Sequence, residues 1–66
     1  MTSLEKLKKE IEEYCIQYPD YEEEFIDLYD LAAMEVELGS SPVLEYHLAH
    51  SDIDALLLMI KLGPNN

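Results

Sequence analysis

The sequence predicts an all-α fold, a compact three-helix bundle in which residues 1–66 form a single acidic helical domain. Apolar residues recur every three or four positions in three stretches, at about 3–17, 20–38 and 42–62, and this spacing is typical of helices with one buried face. Proline and glycine separate the stretches, because Pro19 follows the first and Gly39 follows the second. A chain of 66 residues buries only about 60% of its unfolded surface, so we expect a small stability margin.

The first helix is expected to begin with Ser3 as its N-cap and to end before Pro19. Lys6 then takes the third helical position, where a glutamate is needed to complete a capping box. Pro19 ends the helix because its ring removes a backbone donor and pushes the preceding residue out of the helical region. The buried stripe is predicted to contain Leu4, Leu7, Ile11, Tyr14, Cys15 and Tyr18.

The second helix, at about 20–38, is predicted to have both a core face and an acidic outer face. Asp20 has the position and chemistry of an N-cap, with Glu23 three residues later. Further acids in the first turn are favoured by the positive end of the helix dipole. The residues expected on the core face are Tyr21, Phe25, Leu28, Tyr29, Ala32 and Val36.

The third helix is expected to follow a short turn in which Gly39 stops the second helix. Ser41 can then cap the third, with Pro42 in its first turn. Two interpretations are open from there: one helix that continues to Leu62, which we favour, or a break followed by a new helix capped at Ser51. Beyond Leu62, the expected helix stop is Gly63 with Pro64, followed by a disordered Asn65 and Asn66.

A continuous third helix has an apolar surface that spans more than half of its circumference. One stripe contains Tyr46, Ala49, Ile53, Leu56 and Ile60. A second stripe beside it contains Leu44, Leu48, Ala55, Met59 and Leu62. So broad a surface is expected to pack against both other helices or against a second copy of the chain.

Charge gives the clearest indication of the kind of partner. The chain has 15 acidic residues, four lysines and no arginine, for a formal net charge of -11, and from Glu10 to Ile60 there are 14 carboxylates and no lysine. Direct binding to nucleic acid is disfavoured because phosphate contacts require cations, and an anionic membrane is disfavoured for the same reason. A basic protein surface is the expected partner, with fast association that depends on salt.

The partner-binding surface is predicted on the outer face of the second helix. Leu31, Met34 and Leu38 are expected to be apolar anchors among the acids there, since interfaces combine desolvated anchors with a charged rim. The acidic members of the predicted site are Glu23, Glu24, Asp27, Asp30, Glu35 and Glu37. The alternative interpretation is that another element covers the three anchors and that the acids serve only solubility.

The sequence predicts no enzyme, cofactor or metal centre. His47, His50 and Asp54 share one stripe of the third helix, but no HExxH motif or nearby cysteine completes a zinc site, so a solvated or hydrogen-bonded face is favoured. Cys15 has acidic neighbours, which oppose thiolate formation, and is expected to be a buried residue of the first helix. The segment LLLMI at 56–60 is too short to span a membrane, and with no export signal visible a cytoplasmic location is expected.

About half of the chain is the run YPDYEEEFIDLYDLAAMEVELGSSPVLEYHLAHSDI. With its small size and lack of arginine, the chain resembles small acidic proteins encoded by phages and mobile elements of bacteria. The resemblance implies a non-enzymatic inhibitor of the anti-CRISPR or anti-restriction type, similar to the DNA mimics, whose carboxylates stand where phosphates would lie. It also implies a partner that is a nucleic-acid-binding nuclease or effector in the cytoplasm of a bacterial host, blocked at a basic groove.

A second class of function is predicted from the third helix instead of the acids. In this interpretation the chain is a small structural or adaptor subunit, homodimeric through the third helix. The acidic residues then serve solubility alone.

Overall fold

The computed structural model of the chain describes residues 1–63 and confirms the predicted all-α three-helix bundle. Helix α1 is Ser3–Gln17, α2 is Glu22–Glu37 and α3 is Pro42–Leu62, and a 3-10 turn at Pro19–Tyr21 lies between α1 and α2. Helix α2 packs closely against both other helices, whereas α1 and α3 touch less. The bundle is elongated, with extents of 39 × 20 × 15 Å, so much of each helix faces solvent.

The N-terminus of α1 corrects the prediction that Ser3 is the cap. The N-cap is Thr2: its Oγ1 accepts a hydrogen bond from the Glu5 amide at 3.1 Å, and the Glu5 carboxylate accepts one from the Thr2 amide at 2.9 Å. This is a complete capping box, one residue earlier than predicted. The hydrogen bond from the Thr2 backbone lowers the pKa of Glu5 below its ordinary value.

The corner between α1 and α2 confirms Pro19 as the stop and corrects the role of Asp20. Asp20 lies inside the 3-10 turn, and Tyr21 occupies the N-cap position of α2 without a side-chain hydrogen bond. Pro19 has the φ angle that begins a tight turn, and the Tyr21 amide donates to the Tyr18 carbonyl at 2.9 Å. The helix therefore starts at Glu22 instead of residue 20, and it ends at Glu37, one residue short of the prediction.

The turn between α2 and α3 forms as predicted. Gly39 has a φ of +108°, its amide donates to Val36, and the Ser40 amide donates to Glu35, both at 3.0 Å. These two hydrogen bonds satisfy carbonyls at the end of α2 in a Schellman motif, which favours glycine at the position with positive φ. Ser41 then caps α3 by accepting from the Leu44 amide at 3.4 Å.

Helix α3 is continuous from Pro42 to Leu62, which confirms the favoured interpretation over a break near Ser51. Its last turn is followed by Gly63 with a φ of +84°, as expected of a helix stop. The expectations for Pro64, Asn65 and Asn66 lie outside the described residues.

The core lies where the predicted stripes of the three helices meet. Each helix contributes two buried apolar residues: Leu7, Ile11, Phe25, Ala32, Ala49 and Ile53. The remaining residues of the α1 stripe, of the α2 core face and of the first α3 stripe are half-buried around them. Phe25 is fully buried, and its ring stacks on that of Tyr14, with centroids 5.3 Å apart, and on that of Tyr18 at 6.1 Å.

The second stripe of α3 is not covered by any other part of the described chain. All five of its members, which the sequence analysis expected to pack against helices or a second copy, are exposed: Leu44, Leu48, Ala55, Met59 and Leu62. The bundle buries only one side of α3, because α1 and α2 both dock on the stripe that contains Ala49 and Ile53.

A polar cluster links α1 to α3 at the edge of the core. The Glu10 carboxylate accepts a hydrogen bond from the Tyr46 hydroxyl and contacts His50 Nε2, each at 2.9 Å from the same oxygen, and Lys6 Nζ lies 5.3 Å from the centre of the Tyr46 ring. Partial burial acts to raise the pKa of Glu10, but the hydrogen bonds from His50 and Tyr46 and the positive charges nearby outweigh it and lower that pKa. Burial and the bond to Glu10 raise the pKa of Tyr46.

The capping box predicts different effects for two neighbouring hydroxyls. Thr2→Ala removes the cap and is expected to lower the free energy of unfolding by about 1 kcal/mol. Ser3→Ala, the matched control in the first helical turn, should change it by less than about 0.5 kcal/mol. Urea denaturation followed by circular dichroism measures both, and an equal loss in the two variants would contradict the assignment of Thr2.

The Glu10 cluster predicts a stability contribution that depends on pH. Because the folded-state pKa of Glu10 is lowered, its contribution is complete above the unfolded-state pKa of about 4.3 and is lost as the pH falls through the folded-state value. Glu10→Gln should therefore be less stable than the unmodified chain at pH 7, by roughly 0.5–1 kcal/mol for a partly exposed group. The difference should shrink toward zero below about pH 4.

Glu13→Gln is the control for this comparison, since Glu13 is exposed on the same helix. Removing it relieves negative charge without breaking the cluster, so no loss at pH 7 is expected. A difference between Glu10→Gln and the unmodified chain that stays constant from pH 7 to pH 3 would show that Glu10 does not act through its charge.

Candidate protein-binding site

The outer surface of α2 is the most acidic exposed surface that the structure builds from one helix. The helix has no side-chain cap at its N-terminus, and its first turn contains three glutamates, whose negative charge the helix dipole favours there. Of the six acids predicted from the sequence, Glu35 alone is half-buried. The exposed members are Glu23, Glu24, Asp27, Asp30 and Glu37, and none of them forms an ion pair within residues 1–63.

The three predicted anchors are all accessible, two on α2 and one at its C-cap. Leu31 is 51% exposed, Met34 48% and Leu38 76%. No other part of the described chain covers them, so the alternative in which a third element buries this trio does not hold for the bundle itself. Leu31 and Met34 lie on the C-terminal half of α2 and Leu38 is its C-cap, whereas most of the exposed acids lie on its N-terminal half.

A cleft between α2 and α3 extends this surface beyond what the sequence analysis predicted. It has a volume of about 360 Å³ and is lined by Leu31, Glu35, Glu45, Leu48, Ser51 and Asp52. Leu31 and Leu48 provide apolar walls, and carboxylates from both helices surround them. Such an arrangement suits an apolar side chain flanked by cations.

Four of the cleft residues, Glu45, Leu48, Ser51 and Asp52, were not in the predicted site. Leu48 was identified only as part of an apolar stripe, and nothing in the sequence singled out Glu45. Glu45 is 9% exposed, and the Ser40 hydroxyl donates to its carboxylate at 2.6 Å. The turn that ends α2 therefore also fixes one acid of the cleft.

Asp30 faces a different cleft, between α1 and α2. This cleft has a volume of about 560 Å³, and its apolar walls include Ile16, which is 79% exposed, and Ile26, which is 41% exposed. The predicted site is therefore split: Leu31 and Glu35 lie on the α3 side of α2, and Asp30 lies on the α1 side.

Cys15 lies in the α1–α2 cleft but has no features of a nucleophile. Its side chain is half-buried, and its thiol lies 3.8 Å from the Glu22 carbonyl oxygen, to which it can donate weakly. Burial raises the pKa of the thiol, and the negative charges of Glu22 and Glu12 raise it further. The neutral thiol is thus the stable form, as expected for a residue of the α1 stripe.

The histidines do not gather into a metal site in the part of the chain that the structure describes. His50 contacts Glu10 on α1, while the exposed His47 lies edge-on to the Tyr46 ring, with centroids 5.8 Å apart. Within residues 1–63, no group of three or more histidine, cysteine or carboxylate side chains is placed to hold a metal ion.

No family model, curated protein or solved structure matches this chain. Within the described part of the chain, no helix has the length and apolar character needed to cross a membrane.

The exposure of the anchors predicts that they contribute little to folding. Leu38→Ala should change the free energy of unfolding by less than about 0.5 kcal/mol. Phe25→Ala, which removes the fully buried ring that stacks on Tyr14 and Tyr18, should cost about 3–5 kcal/mol and unfold much of the population. Urea denaturation measures both variants, and a loss of more than 1 kcal/mol in Leu38→Ala would place that side chain in the core instead.

Proposed function

We propose that the chain is a non-enzymatic inhibitor that binds a basic, nucleic-acid-binding groove of a partner protein. The observation that carries the proposal is the outer surface of α2, where five exposed carboxylates without an ion pair in residues 1–63 lie beside three exposed apolar anchors. Exposed charge alone would serve solubility. The combination with accessible leucine and methionine side chains favours a binding surface, because those side chains gain from being covered.

The spacing of the acids supports a partner that ordinarily holds a phosphate backbone. Glu23, Asp27 and Asp30 follow one another at intervals of four and three residues, which correspond to about 6 Å and about 4.5 Å along a helix axis. A single DNA strand has one phosphate per 3.4 Å of axis, so this row has about two charges for every three phosphates. A cationic groove can accept such a row without the helix following the path of DNA closely.

The anchors add what a phosphate backbone lacks. Leu31 and Leu48 line the α2–α3 cleft, and Glu35, Glu45 and Asp52 surround it. An arginine or lysine of the partner can lay its aliphatic stem against the leucines while its charge reaches a carboxylate. The apolar contacts then slow dissociation, and the long-range negative field speeds association.

A nuclease or other effector of bacterial defence is the partner class that we propose, in keeping with the resemblance to phage-encoded inhibitors. Covering the groove that reads a PAM or holds a duplex would prevent the nuclease from engaging its target. In this scheme the chain acts as a partial DNA mimic: its acids compete with phosphates, and its anchors give selectivity among basic proteins.

The test is the reversal of two neighbouring charges. The double variant Asp27→Lys, Asp30→Lys should lose about tenfold or more in affinity for the partner captured from host extract, because both lysines then repel the groove. Raising the salt from about 0.1 M to about 1 M should release the unmodified chain, since the Debye length falls from about 10 Å to about 3 Å. Duplex DNA should displace it in the same assay.

The matched control is the double variant Glu13→Lys, Asp54→Lys, which makes the same change in net charge at exposed positions of α1 and α3 that line neither cleft. It should retain most of the affinity, and circular dichroism should show both variants helical. The proposal fails if the α2 reversal binds as well as the control, or if the captured partner stays bound at high salt and in the presence of duplex DNA.

A further inference from the structure

Helix α3 has a second exposed surface, which meets the acidic surface of α2 only at Leu48 and Ser51 in the α2–α3 cleft. Six of its residues follow one another at intervals of four, three, four, three and four, the spacing of a coiled-coil seam. All six are exposed, and we call them the α3 seam: Leu44, Leu48, Ser51, Ala55, Leu58 and Leu62. The four leucines are between 49% and 60% exposed, and Met59 beside them is 67% exposed.

The α3 seam reads the same in both directions. Two leucines lie at each end and two small residues, Ser51 and Ala55, lie at the centre, with the same intervals counted from either end. This spacing suits a two-fold symmetric contact, in which the same surface serves both copies and a residue away from the axis meets a different residue of that surface. In an antiparallel pair, Leu44 of one copy meets Leu62 of the other and Leu48 meets Leu58. The small residues then allow the helices to approach closely where they cross.

The distribution of charge also indicates that, if the chain associates with itself, it does so through this surface and not through another. Twelve of the 15 acids precede Gly39, so they belong to α1, α2 and the turn between them. The α3 seam itself has no charged residue, and the charged groups that flank it along the helix are Glu45, Asp52, Asp54 and Lys61. A chain with a net charge of -11 can associate with itself only where like charges stay apart, and contact through α3 leaves the acidic faces pointing outward.

We propose that the α3 seam is the interface of an antiparallel homodimer. This goes beyond the proposed inhibitor function and does not depend on it. The dimer presents two α2 acidic faces on opposite sides, with the α2–α3 clefts at the border of the contact. Asp52 and Asp54 lie near the two-fold axis and approach their copies there. Because salt screens the repulsion between these like charges, it strengthens the dimer, whereas it weakens binding to a basic partner.

The size of the α3 seam sets the expected affinity. A helix of 21 residues is about 32 Å long and, with side chains, about 10 Å wide. This face is smaller than the roughly 800 Å² that each partner contributes to a standard interface. The dissociation constant is therefore expected to be micromolar or weaker, and it must be measured at high protein concentration.

Sedimentation equilibrium on the unmodified chain, from about 10 µM to about 1 mM, should show a reversible dimer. The dimer should tighten as NaCl is raised from about 0.05 M to about 0.5 M.

Substitutions in the α3 seam test its role directly. Leu58→Glu places a carboxylate in the α3 seam and should raise the dissociation constant of the dimer by about tenfold or more. Ala55→Glu, at the centre, should act in the same way. The matched control is Val43→Glu. Val43 and Leu58 are each 57% exposed on α3, but Val43 lies outside the seam. The dissociation constant of the Val43→Glu dimer should therefore stay within about twofold of that of the unmodified chain.

Disulfide trapping tests the orientation of the two copies. In a Cys15→Ser background, Leu44→Cys and Leu62→Cys variants should form a linked dimer when mixed and oxidised, and neither should do so alone. A monomer at about 1 mM and high salt, or equal dimerisation of Leu58→Glu and Val43→Glu, would overturn the proposal. Self-linking of each cysteine variant would overturn the antiparallel arrangement. Asp27→Lys, Asp30→Lys should dimerise normally, so a failure of the inhibitor proposal is told apart from a failure of this one.

Discussion

The stacking of Phe25 on Tyr14 and Tyr18 is the contact on which the arrangement of the bundle depends. The ring lies near the start of α2 and is fully buried against residues from the end of α1 and the corner that follows it. Aromatic pairs contribute specific geometry as well as buried area. The contacts of Phe25 with the two tyrosines fix the rotation of α2 about its own axis. Because of this rotation, the carboxylates on the opposite side of the helix all face solvent.

A second constraint is the limited burial that a chain of this length can achieve. Hydrophobic residues make up 48% of the sequence, yet among residues 1–63 only six are buried in the core. The remainder is not spread evenly, because large apolar side chains concentrate on the outer half of α2 and along α3. Apolar surface that collects in continuous patches is typical of contact with another protein. The two surfaces differ in chemistry, since one is set among acids and the other has no charge of its own.

Most of the fold could be predicted from local patterns in the sequence. Periodic apolar residues predicted the three helices, and Pro19, Gly39 and Ser41 marked their ends correctly because the geometry of stops and caps depends on neighbouring residues. The two errors were also local. Thr2 and Ser3 are both good caps, and the choice depends on whether Glu5 reaches back. Pro19 begins a turn of its own, and this turn takes up the position assigned to the start of the second helix.

The composition of the binding surface was only partly predictable. The periodicity of α2 separated its buried side from its exposed acids and anchors, but it could not tell which flank of the helix faces α1 and which faces α3. That choice, made by tertiary packing, places Asp30 in one cleft and Glu35 in the other. It also buries Glu45 and brings Leu48 beside Leu31. The exposed second stripe of α3 has the same origin, since α1 and α2 dock on one side of that helix.

The order of contacts along the chain has a kinetic consequence. Each helix packs against the next, and α1 touches α3 through few contacts, among them the bonds from Tyr46 and His50 to Glu10, which join residues 36 and 40 positions apart. Topologies built from such sequence-local contacts fold in microseconds to milliseconds, because little loop entropy is lost before the first favourable contacts form. The pairing of α1 with α2 around Phe25 can form early, and the closure at Glu10 completes the native state. A chain that reaches its native state this quickly spends little time with its core residues open to aggregation.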